Sequence, residues 1–153
     1  MSDVGRLRDV LSAATRLHVD ASVLGLHLAG DSRYTPLTRA VLEMLADDEL
    51  RASTSALSVY QLLVEAYRRG EADTAATAER YLTTIPGLRV VDLTPAIARQ
   101  ASQVRAQLGG STERAVQIAT ALSEGATVFL TQRSAFRRVA GMSVESLDLF
   151  AAS

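Results

Sequence analysis

The sequence predicts an α/β protein in which helices cover both faces of a central parallel sheet of four or five strands. Two observations carry this prediction. Short apolar, β-branched segments recur along the chain, and amphipathic helical patterns separate them. Strands that alternate with helices pair in parallel, and right-handed crossovers then place helices on both sides of the sheet. The expected architecture is a three-layer sandwich.

The N-terminal half predicts a helix, a strand, two helices, a second strand and a further helix. The first helix carries apolar residues at helical spacing and precedes the first strand. Thr35 before Pro36 is typical of a helix start, because proline is tolerated at the first helical position. The predicted ranges are a helix at 3–15, a strand at 16–20, helices at 21–30 and 36–47, a strand at 50–53, and a helix at 56–69 capped by Thr54 or Ser55.

The C-terminal half continues the alternation. Pro86 and Gly87 end one helix, and Thr94 with Pro95 opens the next. The predicted ranges are helices at 72–84, 95–108 and 113–124, strands at 88–93 and 127–131, a helical turn at 134–139 and a last edge strand at 144–149.

Length and composition indicate one ordinary globular domain. The chain has 153 residues, of which 48% are hydrophobic, and a net charge of −1. We expect a single domain over 1–153, with 1–15 as an extra N-terminal helix. The absence of cysteine excludes disulfides and thiolate metal sites. No signal-peptide core and no apolar run of roughly 20 residues is visible, so we expect a soluble, cytoplasmic protein without a membrane partner.

Polar residues follow two of the predicted strands directly. Asp20 ends the first strand, and Thr131, Gln132 and Arg133 end the strand at 127–131. Ligand sites in parallel sheets form outside the carboxyl ends of the strands. The sequence therefore predicts a site where these two strands end.

Two segments resemble the first and last motifs of the PIN-domain ribonucleases, whose small members include the VapC-type toxins. The first is Asp20 with Ser22 two residues later. The second is the helical run 112–122, followed by the strand-like run 125–131. The resemblance implies a PIN-like fold and an ancestry in metal-dependent endoribonucleases of toxin–antitoxin systems.

Carried over residue by residue, the resemblance leaves a depleted set of acids. Asp20 and Ser22 match the first motif, but Gln61 falls where the family has a glutamate. Arg114 falls where the family has an aspartate that opens a helix. The last motif, Thr-Asn-Asp in the family, is Thr131-Gln132-Arg133 here.

This substitution pattern predicts a pseudo-nuclease. Mg²⁺ binds through several hard oxygen ligands, and a single carboxylate is a poor site for it. We therefore expect no resident metal or other cofactor, and a domain that binds RNA or a protein without cleaving RNA. Arg114 or Arg133 is predicted to pair with Asp20 and to replace the ion with an internal cation. By resemblance alone, an antitoxin-like partner and a homodimer built on helices 36–47 and 56–69 are expected.

The alternative is an active endoribonuclease that uses Mg²⁺ or Mn²⁺ with Asp20 as its catalytic residue. Displaced acids would have to restore the site. Glu65 lies four residues beyond Gln61 on the same helix face, about 6 Å along the axis. Glu113 precedes Arg114 and points roughly 100° away around its helix. His18, on the same strand face as Asp20, is expected to be a packed histidine beneath the site.

Overall fold

The computed structural model describes residues 2–151. The described chain forms seven α-helices and one short 3₁₀ helix at Leu147–Leu149. The α-helices are α1 (Asp3–Ser12), α2 (Ala21–Ala29), α3 (Thr35–Ala46), α4 (Leu57–Arg68), α5 (Ala72–Thr84), α6 (Pro95–Leu108) and α7 (Thr112–Ser123).

Six strands form one sheet in the order β3-β2-β1-β4-β6-β5. All pairs are parallel except β5 with β6. The strands are β1 (Leu17–Val19), β2 (Ala52–Ser55), β3 (Leu88–Val91), β4 (Val128–Thr131), β5 (Arg138–Val139) and β6 (Met142–Ser146). The predicted α/β architecture with a mostly parallel sheet is confirmed.

Side-chain alternation along the central strands divides the core between the two faces of the sheet. Leu17, Val19 and Leu130 belong to a cluster that includes residues of α1, α2, α3 and α5. Phe129 and Val144 belong to a second cluster, formed with α6 and α7. Because both faces are buried, the sheet is enclosed between helical layers, as expected for parallel strands.

Helix α1 packs on the protein's own core, which is the role its apolar spacing favoured. Leu7 and Leu11 have no exposed surface. The helix lies against α3, and Arg8 forms a 2.8 Å ion pair with Glu43. The side chain of Ser2 accepts a hydrogen bond from the amide of Gly5 and caps the helix start. One face of α3, half of the expected dimer surface, is therefore covered by the same chain.

Two boundary predictions around the helix starts were wrong. Strand β2 begins at Ala52 and includes Thr54, one of the two residues expected to cap the following helix. The other candidate, Ser55, accepts a hydrogen bond from the amide of Leu57 at 3.1 Å, at the start of α4. Thr54 is fully buried and pairs with Val90 of β3, so tertiary pairing outweighs its local capping preference. Helix α3 begins at Thr35 itself, whose hydroxyl donates to the carbonyl of Asp31 instead of capping the helix.

Two predictions near the C-terminus also differ from the structure. The range 134–139 forms no helix, and Arg138 with Val139 forms the short antiparallel strand β5. The range 144–149 was predicted as an edge strand, yet β6 lies between β4 and β5 and ends at Ser146. A tight hairpin through Gly141, which has a positive φ of 83°, provides the extra edge strand.

No helix among residues 2–151 is long and apolar enough to span a bilayer.

Candidate functional site

The candidate site lies at the carboxyl edge of the two central strands. Register pairs Val19 with Leu130, which brings Asp20 and Thr131 next to each other at the strand ends. The amide of Asp20 donates to the carbonyl of Leu130 at 2.9 Å. The sequence prediction that these two strand ends meet is therefore confirmed.

Hydroxyl groups bind the carboxylate of Asp20, which is only 6% exposed. Its Oδ2 atom accepts hydrogen bonds from Ser22 Oγ at 2.6 Å and from Thr131 Oγ1 at 3.0 Å. The backbone amide of Gln132 donates to Ser22 Oγ at 3.1 Å, which fixes the serine in turn. Neutral hydroxyls, and no cation, satisfy this oxygen among the residues that the structure describes.

A pocket of about 390 Å³ opens beside this carboxylate. The structure brings five of the predicted site residues to its wall, and adds Ala21, Gly25, Leu62 and Ser111. The five predicted residues are Asp20, Ser22, Gln61, Glu113 and Arg114. Glu113 therefore lies on the same pocket as Asp20, although it points away from the position of Arg114 on an ideal helix.

Glu65 does not reach this pocket. Its carboxylate forms a 2.8 Å ion pair with Arg68 one helical turn further along α4, and 59% of its side chain is exposed. Four residues of helix place it above Gln61 and toward solvent. Of the two displaced acids in the alternative model, only Glu113 is positioned to contribute.

A buried polar network, which the sequence analysis did not identify, holds Gln61 in place. Gln117 is fully buried, and its Nε2 atom donates to Gln61 Oε1 and to Ser58 Oγ, each at 2.9 Å. Its Oε1 atom lies 2.8 Å from Nε2 of His18. The amide nitrogen of Gln117 makes both donated hydrogen bonds, so its amide oxygen faces His18. Because an amide oxygen can only accept, His18 carries its proton on Nε2.

His18 completes the network on the inside of the sheet. Its Nδ1 atom lies 3.1 Å from Ser53 Oγ and accepts from that hydroxyl in the tautomer just assigned. The imidazole stacks on Phe129 at 5.1 Å between ring centroids. Burial lowers the pKa of His18 to about 4, against the opposing effects of Gln117 and Asp20. The expected role as a packed, hydrogen-bonded histidine is confirmed.

The predicted pairing of arginine with Asp20 was wrong. Arg133 Nε lies 2.7 Å from Asp148 Oδ2, and Arg114 Nη2 donates to the carbonyl of Arg133 at 3.1 Å. Both guanidinium groups are therefore held by other acceptors; Arg114 lines the Asp20 pocket, whereas Arg133 lines an adjoining pocket that it shares with Arg114. The competing acceptor, Asp148, follows β6 in the 3₁₀ helix, and a local sequence pattern gave no signal of its proximity.

Asp148 is a further carboxylate at this end of the sheet, and hydrogen bonds from Tyr34 and Arg133 hold its side chain in place. Tyr34 donates from its hydroxyl to Asp148 Oδ1 at 2.5 Å, and Gln132 Nε2 donates to the same tyrosine oxygen at 3.3 Å. Burial alone would raise the pKa of Asp148. The hydrogen bonds from Tyr34 and Arg133, with the charges of Arg133 and Arg33, hold that pKa below its ordinary value.

These donors do not fit a resident Mg²⁺ or Mn²⁺ ion. Two carboxylates, those of Asp20 and Glu113, line the pocket together with the cation Arg114. Among residues 2–151, no three His, Cys, Asp or Glu side chains come together in a way that could hold a metal ion. An octahedral oxygen cage of the kind that Mg²⁺ prefers is missing from this part of the chain.

Fold and pocket together define a class: an α/β protein with a polar, partly acidic pocket at the carboxyl edge of its central parallel strands. The family model described as the PIN domain matches residues 17–142. The chain therefore belongs to the PIN-domain family, and α1 precedes the matched region. No curated protein sequence matches the chain.

Solved structures with a similar fold include chains of toxin–antitoxin complexes and a toxin. A chain of VapBC2 from Rickettsia felis, crystallised with a promoter DNA fragment, superposes with a TM-score of 0.67 at 13% identity, over 86% of this chain and 98% of that one. A toxin–antitoxin complex from Klebsiella pneumoniae gives a TM-score of 0.59 at 15% identity, over 86% and 97%. VapC20 of Mycobacterium tuberculosis, a toxin that cleaves the sarcin–ricin loop, gives 0.58 at 21% identity, over 74% and 86%.

Proposed function

We propose that this chain is a pseudo-nuclease of the toxin–antitoxin type: a PIN domain that binds RNA or an antitoxin-like protein without cleaving phosphodiester bonds. The observation that carries the proposal is the donor set around Asp20. Hydroxyls of Ser22 and Thr131 satisfy one oxygen of this carboxylate, and an amide, Gln61, lies beside it. Metal-assisted hydrolysis requires an ion to activate water and to neutralise the phosphate, and these residues supply no site for it.

The position of Gln61 supports the loss of metal binding. Its Oε1 atom, the only oxygen that an amide could offer to a cation, already accepts a hydrogen bond from Gln117. The hydroxyl oxygen of Ser58 accepts a hydrogen bond from the same Gln117 amide nitrogen. The network is complete without an ion, because no buried side-chain nitrogen or oxygen lacks a partner within residues 2–151.

An antitoxin-like protein is the first partner that we propose. Its support is the likeness of the fold to chains from VapBC2 and from the Klebsiella complex, both of which are toxin–antitoxin assemblies. The pocket offers such a partner both signs of charge, through Glu113 and Arg114. Co-expression with the product of a neighbouring small gene, followed by affinity purification on the PIN chain, tests this partner.

RNA is the second partner that we propose, and its support is two neighbouring arginines, of which Arg114 lines the pocket. Arg114 and Arg133 are held next to each other by one hydrogen bond, and the side chain of Arg133 is 77% exposed. Guanidinium groups bind phosphate oxygens bidentately, and such contacts give affinity that falls steeply with salt. Binding of a single-stranded RNA that is weakened by Arg114→Ala and by salt would support this partner.

A homodimer and a cytoplasmic location are part of the proposal. Since α1 covers part of α3, the surface left for a second copy is α4, where Tyr60 and Tyr67 are each 57% exposed. They lie seven residues apart and so share one face of the helix. Light scattering after size-exclusion chromatography should show a dimer, and Tyr60→Asp with Tyr67→Asp should convert it to a monomer.

The decisive experiment is an RNA cleavage assay with Mg²⁺ and Mn²⁺. We expect wild-type protein and Asp20→Asn to be equally inactive, and calorimetry to show no saturable Mn²⁺ binding. The alternative, an active endoribonuclease that uses Asp20 and Glu113, predicts metal-dependent cleavage lost in both Asp20→Asn and Glu113→Gln. Cleavage with that dependence would refute the proposed function.

A further inference from the structure

A second, larger pocket of about 500 Å³ lies at the opposite edge of the sheet, where β1, β2 and β3 begin. We call it the amino-edge pocket and define it by the charged residues on its wall: Arg16, Asp48, Arg51, Arg89 and Glu124. From Arg16 to Asp20 the chain advances roughly 13 Å, at the usual rise of an extended strand. The amino-edge pocket is therefore separate from the Asp20 pocket.

Three arginines line this one pocket, Arg16, Arg51 and Arg89. His18 pairs with Ser53, and Ser53 pairs with Arg89, so these side chains share the face toward α7. Arg16 and Arg51 lie immediately before the first residues of β1 and β2, and both line the same pocket as Arg89. Three cations thus converge at the start of three adjacent strands.

The protein's own acceptors satisfy only part of this positive charge. The carboxylate of Glu124, at the end of α7, forms a 2.9 Å ion pair with Arg89. The backbone carbonyl of the same residue accepts a hydrogen bond from Arg16 Nη1 at 3.2 Å. These two contacts join the C-terminal end of α7 to Arg89 and Arg16. Within residues 2–151, the guanidinium of Arg51 has no ion pair and no hydrogen-bond acceptor. The remaining carboxylate of the pocket, Asp48, is not bonded to it.

Arg16 and Arg51 are direct neighbours across two strands. The amide of Leu17 donates to the carbonyl of Arg51 at 3.0 Å, which holds the two backbones at the spacing of a parallel ladder. Like charges in neighbouring positions of a sheet repel each other. An anion with several acceptor oxygens relieves this repulsion, and the planar fork of arginine matches phosphate in particular.

We propose that the amino-edge pocket is a phosphate-binding site in which Arg51 and Arg16 are the principal contacts. Its volume falls in the range of small-molecule sites and accommodates a mononucleotide. Two sources could present this group: a free phosphorylated ligand, or the backbone of an RNA that the domain holds. The chemistry at the arginines is the same for both.

Calorimetric titration of the full chain with pyrophosphate, with 5′-AMP and with a short single-stranded RNA tests the site. We expect saturable binding that Arg51→Ala weakens about tenfold or more, as for loss of a charge-assisted hydrogen bond. Arg51→Lys should recover part of the affinity, because it keeps the charge but not the fork. Arg51 is exposed, so circular dichroism should show all variants folded.

Arg99→Ala is the matched control, since Arg99 is an exposed arginine of α6 outside this pocket. Equal weakening of binding by Arg51→Ala and Arg99→Ala would show that overall charge causes the effect, and would overturn the site. So would the absence of saturable binding for all three probes at millimolar concentration. Binding of pyrophosphate and 5′-AMP indicates a small ligand, whereas binding of RNA alone indicates a nucleic-acid backbone; both support the site if Arg51 is required.

The test of this site is independent of the test of the proposed function. RNA binding that depends on Arg114 and not on Arg51, without Arg51-dependent binding of pyrophosphate or 5′-AMP, supports the carboxyl-edge proposal and overturns this one. Pyrophosphate binding that depends on Arg51 in a protein that also cleaves RNA gives the reverse result. The two pockets share no lining residue, so the two sets of variants do not overlap.

Discussion

Arg133 Nε lies 2.7 Å from Oδ2 of Asp148, and this ion pair directs the arginine away from Asp20. The same carboxylate accepts from Tyr34 on its other oxygen. Asp148 therefore joins the end of β6 to the loop before α3, and holds Arg133, whose carbonyl accepts a hydrogen bond from Arg114. Its side chain is 15% exposed, whereas that of Arg133 is 77% exposed, so the two partners should differ in their importance.

Removal of Asp148 should destabilise the protein more than removal of Arg133. Asp148→Ala leaves the Tyr34 hydroxyl without its charged acceptor, and we expect a loss of about 1.5–3 kcal/mol in the free energy of unfolding. Arg133→Ala should cost clearly less, because solvent screens this exposed guanidinium. Urea denaturation measures both. Arg68→Ala, which removes an exposed ion pair with Glu65, is the control; equal costs for all three variants would contradict this account.

Restoring acids to the pocket should create metal binding. The double variant Gln61→Glu with Arg114→Asp adds two carboxylates to those of Asp20 and Glu113 in the pocket, which makes four. It also removes the cation of Arg114. We expect Mn²⁺ to raise the melting temperature of this variant by about 3 °C or more, through preferential binding to the folded state. Wild-type protein should not respond.

Gln61→Glu with Arg99→Asp carries the same change in charge but leaves Arg114 in the pocket. It should show no such rise in a thermal-shift assay. A rise of the same size in this control, or in wild-type protein, would show that Arg114 does not oppose the ion.

Buried His18 should make the protein less stable as the pH falls. Its folded-state pKa of about 4 lies below the unfolded value of 6.5, so the unfolded chain binds the proton more readily. The stabilisation from the neutral imidazole is complete above pH 6.5 and is lost as the pH falls toward 4. The loss is on the order of 3 kcal/mol.

Comparison of wild type with His18→Gln isolates this contribution from that of the carboxylates, which titrate in both proteins. The difference in unfolding free energy between them should shrink between pH 7 and pH 4. NMR of the imidazole nitrogens supplies the second measurement and should show a neutral ring at pH 5. A charged ring at pH 6 would contradict the proposed hydrogen-bond pattern.

Helix α1 should contribute strongly to stability, although it precedes the region that matches the family. Leu11 is completely buried, and Leu11→Ala should cost about 2–5 kcal/mol. Leu28→Ala, at a leucine that is 40% exposed, should cost much less. Chemical denaturation of the two variants is the measurement, and comparable costs would mean that α1 is only loosely attached.

Several parts of the site could be predicted from the sequence because local patterns carry them. Asp20 and Thr131 follow apolar strand segments, and parallel pairing then requires the two strand ends to meet. Glu113 and Arg114 open a helix that was predicted over 113–124; the structure shows that Ser111 caps it. The partners of Arg133 and Gln61 could not be predicted this way, because Asp148 and Gln117 approach them from elements distant in the chain.

The sequence by itself determined the alternation of strands and helices and the polar residues that follow the central strands. The replacement of acids by Gln61, Arg114 and Arg133 is what the family resemblance implies. These properties depend on periodicity and residue identity, which are local. Only the tertiary structure decided that Arg133 pairs with Asp148, that His18 and Gln117 form one buried network, and that Arg16 and Arg51 lie side by side. Each depends on which residues of distant segments come within hydrogen-bonding distance, and competition among acceptors is settled only when the chain is packed.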